Sequence, residues 1–407
     1  MTSCRTRLRS QSGRINFSFF KSYMSLFSSS EIPLFAKTLM GLEEVLAEEL
    51  KKLGAKDVYI GRRGVACVAD EEAFYRILIH SRIAIRVLVR LAESRISNEA
   101  GLYAWVKTIE WEDYLSVRNT LAVDVVSFHP EMNHTVFLAQ KTKDAIVDRF
   151  RELYELRPSV SPKDPDVRIN LHISRDGAAH IALDASGRSM NQRGYRQTAG
   201  KAAINEVLAA GLIALSLWDS ETPFVDPMCG SGTFLIEAAM IAKKRAPALM
   251  NDSFGLKRWP HFRESLWHRL IRDAERTERR DVDWIYGGDR DPKMIDISRR
   301  NIRAARLSKN ITLVNKSFDK LWIPEGNGVI ISNPPYGEHI GEREELKKMY
   351  EELGRILKYK AVGYKAYFIT SDPEFKKSVA MKPGRIFNVL NGTIPCEYIS
   401  YSIGPKK

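Results

Sequence analysis

No apolar run in this 407-residue chain reaches 18 residues, so no membrane-spanning helix is expected. Cysteine is scarce and scattered, at Cys4, Cys67, Cys229 and Cys396, with no Cys-x-x-Cys pair. That pattern excludes a disulfide framework and the common zinc-ligand sets, and it fits a reducing compartment. Neither a metal nor a membrane is expected as a partner. Acids are missing from residues 1–30, where Arg5, Arg7, Arg9, Arg14 and Lys21 stand unopposed before Glu31. An Arg- and Ser-rich, acid-free leader has the composition of an organelle transit peptide. The plainer reading, adopted here, is a translation start at Met24, a basic extension over 1–30 and a cytoplasmic protein. What the chain has in excess is positive charge, +13 formally, of which the leader supplies only five. By itself such a balance suits a nucleic acid or an acidic membrane surface, and of the two the nucleic acid is the partner expected.

Periodicity divides the chain at about residue 187. Before it, strands are expected near 34–37, 57–60, 64–68, 85–91, 121–128, 167–173 and 180–184. Helices are expected over 42–53, 73–83 and 142–156, the first with Leu42, Val45, Leu46, Leu50 and Leu53 on one face. Mixed in this way, they imply α+β layers. After residue 187 helices and strands alternate, the pattern of a doubly wound α/β domain that places its ligands at the carboxyl ends of the strands.

Three such strand ends carry chemistry. Phe224-Val225-Asp226 runs into Pro227-Met228-Cys229-Gly230-Ser231-Gly232-Thr233-Phe234, a Gly-rich turn that opens an apolar helix. Glycines there let a backbone approach a ligand closely and turn its N–H groups outward. The turn lacks both the dinucleotide fingerprint and the Lys-Ser/Thr of a P-loop, so phosphate binding is the weaker reading. Trp284-Ile285-Tyr286-Gly287-Gly288-Asp289 is a second strand with an acid at its tip, suited to ribose hydroxyls, while Asp291 is expected to start a helix at Pro292. An inserted segment, 250–283, accounts for the long gap between the two. The third is Asn333-Pro334-Pro335-Tyr336, after the apolar run Val329-Ile330-Ile331. An exocyclic amino group on a nucleobase is a poor nucleophile because its lone pair is delocalised. An Asn oxygen and a Pro carbonyl can hold both of its N–H bonds and let the nitrogen pyramidalise, while a Tyr ring stacks on the base.

The second half therefore resembles the class I S-adenosylmethionine-dependent methyltransferases of the NPPY group. The wider chain is similar to the bacterial THUMP-domain enzymes, the RlmL type, that methylate N2 of guanine in large-subunit ribosomal RNA. Matching stretches include 35–46, 143–150, 157–160 with 165–168, 192–196 and 391–396. The resemblance implies a ferredoxin-like region at 31–72, a THUMP RNA-binding domain at 73–185, a linker at 186–205 and a Rossmann-like methyltransferase domain at 206–407. It implies S-adenosyl-L-methionine as cofactor and 23S rRNA or its precursor as partner of a monomer. It assigns Asp226, Gly230, Gly232 and Thr233 to the methionine end of the cofactor and Asp289 to the ribose, with Cys229, Phe234 and Asn333 also among the cofactor-binding residues. Ser317 stands where the family's adenine-binding acid is expected, with Phe318 for stacking and Asp319 two residues late. Asn333, Pro334, Pro335 and Tyr336 would be catalytic.

Arg193, Tyr195 and Arg196 alternate guanidinium and ring over a short loop and are the candidate RNA contacts. A linker whose Tyr packs between domains is the other reading. The insertion interleaves Phe254, Trp259, Phe262 and Trp267 with cations, but Phe262, Leu266, Leu270 and Ala274 share helical spacing, so a plain packed helix is expected. His261 is read as polar surface. Methylation of guanine N2 in tRNA, methylation of adenine N6 in DNA and a non-catalytic RNA-binding assembly factor remain as alternatives.

Overall fold

Alternation decides the first sheet. In the strand β1 (Ile32–Lys37), Ile32, Leu34 and Ala36 are buried on one face while Phe35 and Lys37 lie on the other. The computed structural model describes residues 31–196, 204–335 and 340–404. After β1 come α1 (Glu43–Lys52), β2 (Lys56–Gly61), β3 (Gly64–Ala69), α2 (Glu71–His80), β4 (Arg86–Arg95), α3 (Glu99–Thr108), β5 (Thr120–Ser127), α4 (Thr135–Tyr154), β6 (Ser159–Val160), β7 (Val167–Ile173) and β8 (Ala178–Asp184). They form one eight-stranded sheet in the order β2-β3-β1-β4-β8-β7-β5-β6. Only β5 runs parallel to its two neighbours, β6 and β7; the other pairs are antiparallel.

Helix α3 was not expected from periodicity. Asn98 caps it through the Gly101 N–H at 2.8 Å, and Gly101 interrupts the apolar spacing that would have announced it. The rings here are structural: the Tyr103 hydroxyl of α3 donates to Asp148 at 2.9 Å, and Trp111, just beyond the helix, is fully buried with its indole N–H on the Val106 carbonyl.

The second half follows as α5 (Glu206–Leu215), β9 (Phe224–Asp226), α6 (Thr233–Ala242), α7 (Glu264–Arg276), β10 (Ile285–Asp289), α8 (Pro292–Ala304), β11 (Ile311–Asn315), β12 (Val329–Ser332), α9 (Ile340–Lys360), β13 (Lys365–Thr370), α10 (Phe375–Val379), β14 (Ile386–Asn391) and β15 (Ile394–Ser402). The sheet order is β11-β10-β9-β12-β13-β15-β14, parallel except for β15, which is antiparallel to both neighbours. The chain reverses its direction of growth between β9 and β12, the switch point at which doubly wound sheets open a crevice.

The insertion joins the two halves. Phe262 and Trp267 pack on Tyr75 of α2 with ring centroids 6.0 and 5.9 Å away, and the Tyr75 hydroxyl accepts the Arg263 N–H at 2.9 Å. Leu266, Trp267, Leu270 and Ala274 of α7 are buried, as a packed helix requires, whereas Phe262 precedes the helix and is half-buried, and the buried Phe254 and Trp259 lie in the approach to it. His261 is not free surface: its Nε2 lies 2.8 Å from the Asp113 carbonyl oxygen, across from the insertion.

Candidate active site

Strand β9 is central in its sheet, with Phe224 and Val225 fully buried, so its last residue is carried into the interior as well. Asp226 is buried; the Ser332 hydroxyl donates to its Oδ1 at 2.6 Å and the Met228 N–H at 3.2 Å. Burial pushes its carboxyl up to about 7, with the neighbouring Asp289 charge adding to the rise and the two hydrogen bonds opposing it. The turn that follows needs left-handed backbone at Gly230 (φ +51°) and Gly232 (φ +81°). A Cβ on Gly232 would lie 3.0 Å from the Ser298 hydroxyl, whereas one on Gly230 would meet nothing within 4 Å.

Sequence reasoning missed what holds this turn. Ser298 and Asn301, three apart on the inner face of α8 and both buried, donate to the carbonyls of Gly230 (2.6 Å) and Ser231 (3.0 Å). Two polar residues on the apolar side of an amphipathic helix were the available signal. Asp289, at the end of β10, accepts the Gly230 N–H at 2.9 Å and the Asp291 N–H at 2.9 Å. Asp291 caps α8 by accepting the Lys293 N–H at 2.8 Å.

These strand ends line one cavity of about 830 Å³, within the range of small-molecule and cofactor sites. Asp226, Cys229, Gly230, Thr233, Phe234 and Asp289 line it from one side, and Ser317, Phe318 and Asp319 close another. Gly232 does not line it and acts through the bend it permits. Cys229 is buried 3.9 Å from the Ser298 hydroxyl, and burial holds its thiol well above the ordinary value, so it is an apolar wall and not a nucleophile. Ser317 donates to Asp319 and holds that carboxyl below its usual range, so the two act as a unit at this corner. Asn333, Pro334 and Pro335 reach the same cavity from the end of β12, and the Asn333 Oδ1 is buried with no donor among the described residues. Tyr336 lies outside the described residues.

The candidate RNA contacts are corrected. Arg193 is 2 % and Tyr195 1 % exposed. Arg193 donates to the carbonyls of Met190 and Arg82, each at 2.6 Å, and its Nε stands 3.7 Å from Glu237 of α6. The Tyr195 hydroxyl donates to Glu237 at 2.9 Å. Arg196 donates to Glu206 at 2.7 Å and reaches the Thr233 hydroxyl at 3.3 Å. The loop is a buried polar seam between the halves, because two acids on α5 and α6 draw it inward.

An open, mostly parallel sheet with a nucleoside-sized cavity at its switch point, a glycine turn, an acid on the next strand and an Asn-Pro-Pro turn defines a Rossmann-like methyltransferase of class I. The chain belongs to the RMKL-like methyltransferase family, whose domain model matches residues 193–400; an RlmL ferredoxin-like domain matches 33–88 and a THUMP domain 97–183. It is 36 % identical over 380 residues to slr0064 of Synechocystis, a protein ascribed RNA methyltransferase activity, covering 93 % of this chain and 99 % of that one. It is also 36 % identical over 387 residues to the ribosomal RNA large subunit methyltransferase K/L of Syntrophotalea carbinolica; this is 92 % of the chain but 54 % of that relative, about half its length. Among solved structures, SMU.472, ascribed methyltransferase activity and crystallised with SAH, superposes with a TM-score of 0.84 at 28 % identity, covering 93 % of this chain and 100 % of the other.

Proposed function

We propose that this chain transfers a methyl group from S-adenosylmethionine to the exocyclic N2 amino group of a guanine in 23S ribosomal RNA. The coarser reading, an S-adenosylmethionine-dependent RNA methyltransferase of the RlmK/L type, follows from family membership and from relatives named for that activity. Transfer to an exocyclic amino group is supported by the buried Asn333 Oδ1, which has no donor among the described residues inside the cofactor-sized cavity; the choice of guanine N2 in 23S rRNA follows the resemblance to the RlmL type and the relative named for large-subunit ribosomal RNA. Buried acceptors are rarely left unpaired, and an N–H of the target base is the donor this one lacks.

The residues fit the cofactor. Gly230 leaves open space where a side chain would stand, Asp289 presents a carboxylate at the strand end, and Phe234, Phe318, Met294 and Met349 supply apolar walls. When bound, S-adenosylmethionine supplies a methyl group made electrophilic by its sulfonium. Asp226 would hold the amino end, Asp289 the ribose, and Ser317 with Asp319 the adenine edge. Asn333 Oδ1 and the Pro334 carbonyl would each accept one N–H of the target amine. Two successive prolines give the turn carbonyls without N–H groups, so it presents acceptors and no competing backbone donor of its own at 334 and 335. Their work is positioning and electrostatics, with no strong base required. RNA as substrate is supported by the THUMP match and the basic balance. No helix among the described residues is long and apolar enough to cross a membrane.

The deciding experiment incubates the protein and labelled S-adenosylmethionine with 23S rRNA, tRNA and DNA from a deletion strain, then digests the products for mass analysis. N2-methylguanosine in 23S rRNA is expected. Label only in tRNA guanine or DNA adenine would overturn the substrate, and absence of cofactor binding by calorimetry would favour a non-catalytic RNA-binding factor.

Asp289→Ala is expected to weaken S-adenosylhomocysteine binding by about 10- to 100-fold, because a charged acceptor and a tie to the Gly230 N–H are lost together. Unchanged affinity in calorimetry would remove Asp289 from the site. Cofactor binding should also depend on pH through Asp226. With its carboxyl raised to about 7, the ligand-free site is mostly protonated below that value. A cationic amino group prefers the ionised form, so affinity should rise between pH 6 and 8 with release of a proton, measurable in buffers of different ionisation enthalpy. The ligand-free fold moves the other way. Its ionised Asp226 is the costly form, so this contribution to stability is full below about pH 4 and is lost as pH rises to about 7. Asp226→Asn should flatten both trends, and a persisting slope would assign the proton elsewhere.

A further inference from the structure

The Asn333-Pro334-Pro335 turn has little to fix its far end. Neither proline has an N–H to tie the backbone down, and ring closure sets φ but leaves the peptide plane after Pro335 free to swing about ψ. Pro335 is exposed, yet its carbonyl is held from within: the Tyr350 hydroxyl, on the buried face of α9, donates to it at 2.8 Å. Tyr350 itself is 1 % exposed, and its ring meets Phe375 edge-on at 4.8 Å. On its other side the hydroxyl lies 3.3 Å from Asp372 Oδ2, just past the end of β13. Asp372 is anchored in turn, its N–H donating to the Thr370 hydroxyl at 3.0 Å and its Oδ1 accepting the Glu374 N–H at 2.9 Å. Three consecutive structural pieces, β13, α9 and the turn after β12, thus converge on one phenol oxygen.

We propose that Tyr350, backed by Asp372, is a positioning residue for methyl transfer: by holding the Pro335 carbonyl it fixes the direction in which Asn333 and Pro334 present their acceptors to the target amine. The proposal rests on reading 333–335 as the catalytic turn. Tyr350 touches neither substrate nor cofactor in this role and works through the turn. The phenol has one hydrogen and two acceptors: the shorter contact directs it mainly to Pro335, and the Asp372 carboxylate accepts the longer arm of the same shared bond, which keeps the hydroxyl turned to this side of its ring. Burial pushes the Tyr350 phenol above its ordinary value, so it stays a donor throughout the working pH range. A purely structural tyrosine would be served by its ring alone, since Phe375 and the surrounding core meet the ring and not the hydroxyl.

Tyr350→Phe separates these roles because it keeps the ring and deletes the bond. In the full-length protein, kcat for RNA methylation is expected to fall by about 10- to 100-fold, the range for small misplacements of reacting groups. KM for RNA and the affinity for S-adenosylhomocysteine should stay within about twofold, since neither ligand loses a contact. Asp372→Asn, which weakens the orienting charge without removing the donor, should give a smaller drop in kcat. In the ligand-free protein, hydrogen exchange at the Asn333 amide should quicken in Tyr350→Phe. A Tyr350→Phe enzyme with wild-type kcat and KM overturns the proposal while leaving the catalytic reading of Asn333 in place. Should the wild-type protein methylate no nucleic acid, the reading of the site fails instead, and unchanged exchange at Asn333 would then dispose of the brace as well.

Discussion

Asn333→Ala is expected to lower the rate of methyl transfer by about 100- to 1000-fold, the cost of removing one preorganised polar partner from a transition state. The loss should fall on kcat at saturating RNA and cofactor. Asn333 Oδ1 is buried with no partner among the described residues, so deleting it breaks no described hydrogen bond and should leave the fold intact. Its removal even relieves a desolvated acceptor, so melting should stay at or slightly above the wild-type temperature. S-adenosylhomocysteine affinity should change little, because the proposed cofactor contacts, Asp226, Asp289 and the turn at Gly230, are separate lining residues that the substitution leaves in place. Asn333→Asp is the informative companion. It keeps an acceptor oxygen but brings a charge into a site shared with Asp226 and Asp289, and it should retain part of the activity at the expense of cofactor affinity or a shifted pH profile. Single-turnover rates alongside calorimetry make the check. Equal turnover in wild-type and Asn333→Ala protein would move the chemistry away from this turn.

The strand ends were legible because each is a local signal: an apolar run, then Asp226 with glycines, Asp289 with glycines, or Asn333 with prolines. The gap between Asp226 and Asp289 was legible too, since the insertion carries its own helical spacing in Leu266, Leu270 and Ala274. The terminal hairpin of β14 and β15 was harder to see. Asn391-Gly392 is a strong hairpin signal, but Pro395 stands inside the second run, where a central strand would forbid it. Pairing of β15 with β13 begins only at Glu397, so Pro395 sits where β15 is still bonded on one side. Tyr350 gave no local sign at all. Its role depends on Pro335 and Asp372, one on each side of it in sequence, and only the packing of α9 beneath the turn brings the three together.

The seam between the halves was misread for the same reason, and it carries the second large effect. Glu237 is the one acid in the buried stretch Thr233–Ala242 of α6 and is fully buried. It faces Arg193, Tyr195 and, at longer range, Arg82, which belongs to the ferredoxin-like domain and whose guanidinium is itself brought down to about 10 by burial. Burial pushes the Glu237 carboxyl up, and the two guanidiniums with the Tyr195 hydroxyl pull it back. Glu237→Ala leaves Arg193 in the interior without its acid and Arg82 with Glu49 alone, and is expected to cost about 3–5 kcal/mol in urea or thermal unfolding. Glu237→Gln should cost less, because the amide oxygen can still accept from Tyr195. Replacing Arg193 and Glu237 together by Met should recover a large part of the loss, since a buried pair exchanged for apolar groups of similar volume is often tolerated. An RNA-contacting Arg193 predicts the reverse pattern. Arg193→Met would then weaken RNA binding and reduce its salt dependence while leaving stability alone, and that outcome, with a stable Glu237→Ala protein, would return the loop to the RNA surface.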